Sequence, residues 1–253
     1  MNHPAISNTS LALAFMLVLV ALLVSQKEKL GLHKDILWSV ARAIIQLTIV
    51  GYVLHYLFDF NNRWLTLLMV LFICVNAALN ARKRSKRIGK AFLISLSAIG
   101  FGTGLTLTIL VLSGALAFVP MQVIPVSGMI AGNAMVAVGL CYTQLNQRFA
   151  DNRQQIEEML SLGASVKRAS AQLVRESIRA AMIPTVDAAK TVGLVSLPGM
   201  MSGLIFAGID PVQAIKYQIM VTFMLLGTAA ISTIIAAWLG YRRFYNAQAQ
   251  LTF

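Results

Sequence analysis

The chain has 253 residues, of which 58% are hydrophobic and only 12% charged, and its net charge is +12. A water-soluble domain carries about 25% charged residues and must cover its surface with polar groups, so a mean hydropathy of +0.74 excludes a single globular core in water. The positive charge lies beside long apolar segments rather than in a domain of its own, which argues against nucleic acid as a partner.

Seven apolar runs follow one another along the chain, over 10–25, 36–58, 64–80, 91–117, 121–145, 192–208 and 217–241. Most approach the length of one bilayer crossing. They are continuous rather than alternating in polarity, and backbone groups in hydrocarbon must pair within their own segment, so the runs predict helices and not a β-barrel. The first Lys is Lys27, after the first apolar run, so that run is expected to be a retained crossing and not a secretory signal. The predicted fold is all-α: one membrane helix bundle over 1–253 with about seven transmembrane helices. With the N-terminus outside, the loops 26–35, 81–90 and 146–191 and the tail from Arg242 face the cytoplasm. They then hold 18 of the 21 Lys and Arg, including Arg82, Lys83, Arg84, Lys86, Arg87 and Lys90. Only Arg63 and Lys216 fall on the other side, and Arg42 lies within a span. This asymmetry predicts an N-out, C-in topology and contact between the basic loops and lipid headgroups.

The segment 146–190 is the one long polar piece, and it is expected to be a cytoplasmic helical loop. Ile156, Met159, Leu160, Val166, Ala169, Leu173, Val174 and Ile178 recur at helical spacing on one face. Gly163 predicts a break between two helices, and Pro184 is expected to limit the second. A cytoplasmic partner would have to grip this loop, with 81–90 beside it. Within it, EEMLSLGA over 157–164 resembles the coupling segment of ATP-binding-cassette permeases, in which a short helix docks in a groove of the ATPase subunit. That resemblance makes Glu157, Glu158, Leu160, Gly163 and Ala164 the candidate coupling residues. An ordinary solvated amphipathic helix is the alternative.

No phosphate-binding G-x-x-x-x-G-K-[ST] sequence is present, so ATP hydrolysis would have to reside in a separate chain. The histidines His3, His33 and His55 stand apart from any candidate nucleophile, and Cys74 and Cys141 lie in apolar runs without zinc spacing. The chain therefore reads as a non-catalytic membrane subunit. Candidate pathway residues are the polar and thioether side chains inside the spans: Arg42, Gln46, Asn76, Asn133, Met129, Met200, Met201, Met220 and Met224. Gln122, Ser127, Asn80 and Ser196 add polarity, and Asp187 is a possible partner for Arg42, with snorkelling as the alternative. The methionines suit either a soft-metal route or adaptable filler between helices. All nine Asp and Glu fall in loops or at span ends, so a hard cation would meet no buried anion. A metal would have to move as a complex or use thioethers, amides and carbonyls. No ligand set is assigned. The pairs Gly100/Gly104, Gly128/Gly132 and Gly199/Gly203 predict close helix contacts, within one subunit or between two. Pro198 with Gly199, and Pro125, predict interrupted helices whose freed carbonyls line a path or merely pack.

Three stretches carry a wider resemblance: GMIAGNAMVAVGLC over 128–141, IPTVDAAKTVGLVSLPGMMSG over 183–203, and AGIDP over 207–211. They closely resemble the FetB family, the bacterial permease subunits of an iron-exporting ATP-binding-cassette transporter, whose plant relatives are linked to aluminium tolerance. The resemblance runs over essentially the whole chain. It implies a FetA-type ATPase partner holding the ATP and Mg, two copies of each subunit, and location in the bacterial inner membrane. It also implies iron as cargo, with a role in iron homeostasis and oxidative-stress resistance. A stand-alone secondary transporter or channel, a permease for a metal chelate or organic cargo, and a non-transporting scaffold are the alternatives.

Overall fold

A computed structural model describes residues 8–60, 62–85 and 88–252. Lys86 and Arg87 of the predicted basic loop, and His3, lie outside these residues. The elements are α1 (Asn8–Ala14), α2 (Met16–Lys27), α3 (His33–Phe60), α4 (Arg63–Arg82), α5 (Ala91–Leu112), α6 (Pro120–Asp151), α7 (Arg153–Ser161), α8 (Val166–Thr191), α9 (Gly199–Phe206) and α10 (Pro211–Gly240). A 3₁₀ turn follows over Tyr241–Phe244. Among the described residues, β-pairing is confined to two isolated bridges, Val192 with Ser196 and Tyr245 with Leu251. The protein is an all-α, multi-pass membrane protein. Among the described residues, six helical segments are long and apolar enough to cross a bilayer: Thr9–Lys27, His33–Leu57, Arg63–Arg82, Ala91–Leu112, Pro120–Asp151 and Pro211–Phe244.

The chain divides into two compact units, Met1–Asn61 and Asn62–Phe253. The first is a helical hairpin. Its turn closes through Leu30 N–H donating to the Ser25 carbonyl at 3.0 Å, with Lys29 and Gly31 at positive φ. Most of its side chains face outward, as suits helices in contact with lipid.

The second unit is a bundle of α4, α5, α6, α8 and α10. Its core is built from small residues, including Ala77, Ala81, Ala98, Ala134 and Ala237, interleaved with Tyr142, Leu145 and Phe149. Small side chains let helix backbones approach closely, and dispersion contacts replace the hydrophobic drive that lipid cannot supply. Helices α5 and α10 approach closely at Gly102 of α5, where a Cβ would collide with the Ser232 hydroxyl of α10. One turn along, Thr106 and Thr228 share a hydrogen bond of 2.7 Å. These two contacts make α5 and α10 antiparallel. By contrast, the described atoms leave open space beside Gly100, Gly104, Gly128, Gly132, Gly199 and Gly203. Among the described residues of the second unit, the three G-x-x-x-G pairs therefore face no neighbouring helix, whereas Gly102, which stands between Gly100 and Gly104, does.

Helices α6 and α10 lie side by side and run the same way. Asn133 bonds to the Leu225 carbonyl, and sixteen to nineteen residues later Phe149 stacks on Phe244 with ring centroids 4.5 Å apart. A chain that finishes α6 at one end and starts α10 at the other must return between them. Helix α8, the segment 192–198 and α9 make that return. Ser170, early in α8, meets Tyr245 at 2.6 Å, whereas Ala188, near its end, lines one cavity with Gln218 of α10.

Two expectations change here. The run 192–208 contains no helix long enough to span, because Gly193 takes a φ of +83° and Pro198 supplies no N–H, so only the eight-residue α9 remains. Pro184 does not limit α8, which continues seven residues further, to Thr191. Proline deletes one backbone bond of the ladder, and packing of α8 against α6 and α10 holds the rest in register. The segment 146–190 accordingly takes in the last turns of α6, all of α7 and all but the last residue of α8, with Ile156, Leu173 and Val174 buried in the core.

Candidate functional site

Where the return path breaks, a cavity of about 420 Å³ opens between α6, α8, α10 and the segment 192–199. Helix α6 lines it with Met129 and Asn133, one turn apart, and α10 with Gln218 and Thr222, also one turn apart. Ser196 and Met200 close the third side. Apolar residues supply most of the remaining wall. The polar groups are oriented by backbone bonds. Asn133 donates its Nδ2 hydrogen to the Leu225 carbonyl at 3.2 Å, and Thr222 donates its hydroxyl to the Gln218 carbonyl at 2.9 Å. Gln218 is only 6% exposed, and its side-chain oxygen has no hydrogen-bond partner. A buried carbonyl without a partner costs about 1–3 kcal/mol, so its retention here calls for an explanation.

Of the predicted pathway residues, the cavity gathers Met129, Asn133 and Met200. Met201 is half-buried on α9 outside the lining. Met224 is buried and Met220 half-buried in an apolar cluster with Leu110, Val123, Ile130 and Val221, where they fill space between helices. Asn76 is exposed and bonds back to the Phe72 carbonyl of its own helix at 3.0 Å. Arg42 and Gln46 are exposed on α3 of the first unit. Asp187, suggested above for Arg42, pairs with Lys190 at 2.9 Å. Gln122 caps a loop by accepting from Ala117 N–H, and Ser127 bonds to the Ile124 carbonyl, so neither serves the cavity. Gln218 and Thr222 escaped sequence reading. Their signal was an amide and a hydroxyl four residues apart inside an otherwise apolar run.

The second candidate surface lies at the basic end. Helix α7 is anchored by Ile156, which is fully buried, while Glu157 and Glu158 point outward. Glu157 pairs with Arg153 at 2.7 Å, and Glu158 accepts from Gln154 at 2.9 Å. Gly163 ends the helix at φ +87°, with its N–H on the Leu160 carbonyl and that of Ala164 on the Met159 carbonyl. This left-handed cap is the geometry glycine accepts without strain. It presents Leu162 at 89% exposure. Ser165 then starts α8 by accepting from Arg168 N–H. Leu160 and Ala164 are half-buried, and with Arg153 and Glu157 they border a shallow groove that the tail residues 248–251 complete. Beneath, Arg148 pairs with Glu176, tying α6 to α8. Tyr245 ties in the tail through Ser170, and burial raises its phenol above the usual range, an effect that bond partly offsets. Among the described residues no group of three or more His, Cys, Asp or Glu is placed to hold a metal ion.

The model of an uncharacterised protein family, UPF0014, matches residues 8–245. The chain is 71% identical over 251 residues, 99% of its length and 97% of the relative's, to the "Probable iron export permease protein FetB" of Escherichia coli K12. It is 37% identical to the rice "UPF0014 membrane protein STAR2", over 92% of this chain and 82% of that one. It is 34% identical to "Protein ALUMINUM SENSITIVE 3" of Arabidopsis thaliana, over 95% and 88% of the two chains. No solved structure matches.

Proposed function

Because the chain belongs to the UPF0014 family of membrane proteins, we propose that it is the permease subunit of an ATP-driven exporter of iron. The observation that carries this reading is the 71% identity, over nearly both full lengths, to a protein named as a probable iron export permease. In this reading the chain itself is not catalytic. A separate FetA-type ATPase binds ATP and Mg and docks on α7 and its Gly163 cap. Exposed Glu157, Glu158 and Leu162 meet the ATPase, and buried Ile156 passes its movement to α8. Helix α8 runs directly from that surface to the cavity, so a shift of α7 changes the cavity wall. The basic ends of α4, α6 and α10 face the cytoplasm of a bacterial inner membrane, and the N-terminus lies outside. Two copies of the permease pair through faces such as Gly100/Gly104, which their own chain leaves open. Removal of iron from the cytoplasm contributes to iron homeostasis and oxidative-stress resistance.

The test is ATP-dependent accumulation of labelled iron in inside-out vesicles that carry this chain and its ATPase. Uptake that disappears without either subunit supports the reading. Uptake that persists without the ATPase points instead to a secondary transporter or channel.

A further inference from the structure

We propose that the groove between the start of α5 and the end of α10 is a binding site for an anionic phospholipid, with Arg242 and Arg243 on its phosphate and an acyl chain against Leu93, Ile94 and Leu239. The inference rests on the membrane-spanning fold alone and is independent of the cargo. The first argument is position. Gly102 meets Ser232 and Thr106 meets Thr228, so the two antiparallel helices bring the first turn of α5 level with the last turn of α10. Both helices lie in segments apolar enough to cross a bilayer. Both change at this level from apolar to basic, with Lys90 just before α5 and Arg242 and Arg243 just after α10. One turn earlier, Lys167 stands over the Trp238 ring, 6.0 Å from its centroid. An indole beside a cation is favoured at the boundary between hydrocarbon and water.

The second argument is chemistry. A groove of about 620 Å³ opens here, lined by Leu93, Ile94 and Ser97 from α5 and by Leu239, Arg242 and Arg243. Leu93 and Leu239 are exposed, and so are both arginines. No Asp or Glu lines the groove. Among the described residues the ion pairs engage Arg148, Arg153 and Lys190, so neither Arg242 nor Arg243 has an acidic partner. Arg82, Lys83 and Lys90 border an adjoining groove at the start of α5. The first turn of α5 holds no acid to offset the positive end of its helix dipole. An unpaired cationic rim over an apolar floor fits a ligand that is anionic at one end and apolar along the rest. Arginine grips a phosphate through parallel N–H bonds, and basic pockets between membrane helices take anionic headgroups in this way. Phosphatidylcholine brings its own cation beside the phosphate, which two guanidinium groups repel, whereas phosphatidylglycerol brings none.

The purified full-length chain in neutral detergent is given equal amounts of phosphatidylglycerol and phosphatidylcholine, and the lipid it retains is read by native mass spectrometry. Phosphatidylglycerol is expected to be retained about tenfold more or better, from two basic side chains on one headgroup. Arg242→Gln combined with Arg243→Gln removes that preference. Arg82→Gln combined with Lys83→Gln, an equal loss of charge on the adjoining groove, keeps it within about twofold. Phosphatidylglycerol also raises the unfolding midpoint of the wild type by about 3 °C or more, because it binds the folded state, and the double arginine variant loses this rise. Should that variant fail to fold, Leu93→Gln, which spoils the apolar floor and spares the arginines, is expected to lose the retained lipid in its place. Equal retention of the two lipids, an unchanged preference in the double arginine variant, or the same stabilisation by glycerol phosphate without acyl chains overturns the proposal. So does a double variant that keeps the lipid but no longer binds the ATPase, which assigns the arginines to a protein surface. None of these outcomes bears on iron export, which is tested separately by uptake.

Discussion

The cavity and the α7–α8 corner are joined by one helix yet built on opposite chemistries. At the corner, charge is abundant and largely paired: Arg148 with Glu176, though its Nε is left without a partner, Arg153 with Glu157, and Glu158 with Gln154. In the cavity charge is absent, and one amide oxygen is left unsatisfied. Exposed pairs contribute little to stability but set which surface a partner accepts. An unpaired buried acceptor costs stability and is retained where a ligand meets it. In the proposed function, the difference separates a surface for holding a motor from a site for passing a cargo.

The comparison can be broken at the scaffold that both regions share. Gly102→Val drives a side chain into Ser232 and to 3.3 Å from Thr228 Cγ2, separating α5 from α10. We expect a loss of about 1–3 kcal/mol, visible as a lower unfolding midpoint of the purified protein, with both regions impaired together. Gly163→Val leaves the spans intact, since nothing lies within 4 Å, but a β-branched residue resists φ +87°. The cost is about 1–2 kcal/mol, which lowers the unfolding midpoint modestly, while the functional loss is confined to the corner: cargo-stimulated ATP hydrolysis falls. Tyr245→Phe removes the bond to Ser170 and costs about 1 kcal/mol, loosening the tail measurably in limited proteolysis. Gln218→Leu sharpens the contrast in the other direction. It removes the orphaned acceptor, so stability holds or rises by about 1 kcal/mol even as transport falls. The smallest effect is expected from Glu158→Gln, which changes stability by less than about 0.5 kcal/mol but weakens ATPase binding in a salt-dependent way.

The bundle was largely legible because apolar runs in a membrane have one solution, the helix. The Gly163 break was legible for a similar reason, since a glycine between two amphipathic stretches marks a left-handed cap. The composite return path was not, because hydropathy over 192–208 is blind to backbone geometry. Only the φ of Gly193 and the missing N–H of Pro198 unwind it. The cavity was half legible. Met129, Asn133 and Met200 meet there, but Met220 and Met224 carry the same side chain into packing, and residue type alone does not distinguish wall from filler. The G-x-x-x-G pairs misdirect attention from Gly102, whose importance comes from Ser232, 130 residues away.

The most direct test sets the two regions against each other in one membrane. Iron uptake, ATPase binding and iron-stimulated ATP hydrolysis are measured side by side for Gln218→Leu and Gly163→Val, each with the partner ATPase. The account predicts that Gln218→Leu keeps the ATPase bound and its basal hydrolysis unchanged but loses uptake. It predicts that Gly163→Val loses uptake because bound iron no longer stimulates hydrolysis. If both variants fail in the same way, or if Gln218→Leu transports iron normally, the division into a motor surface and a cargo cavity is wrong.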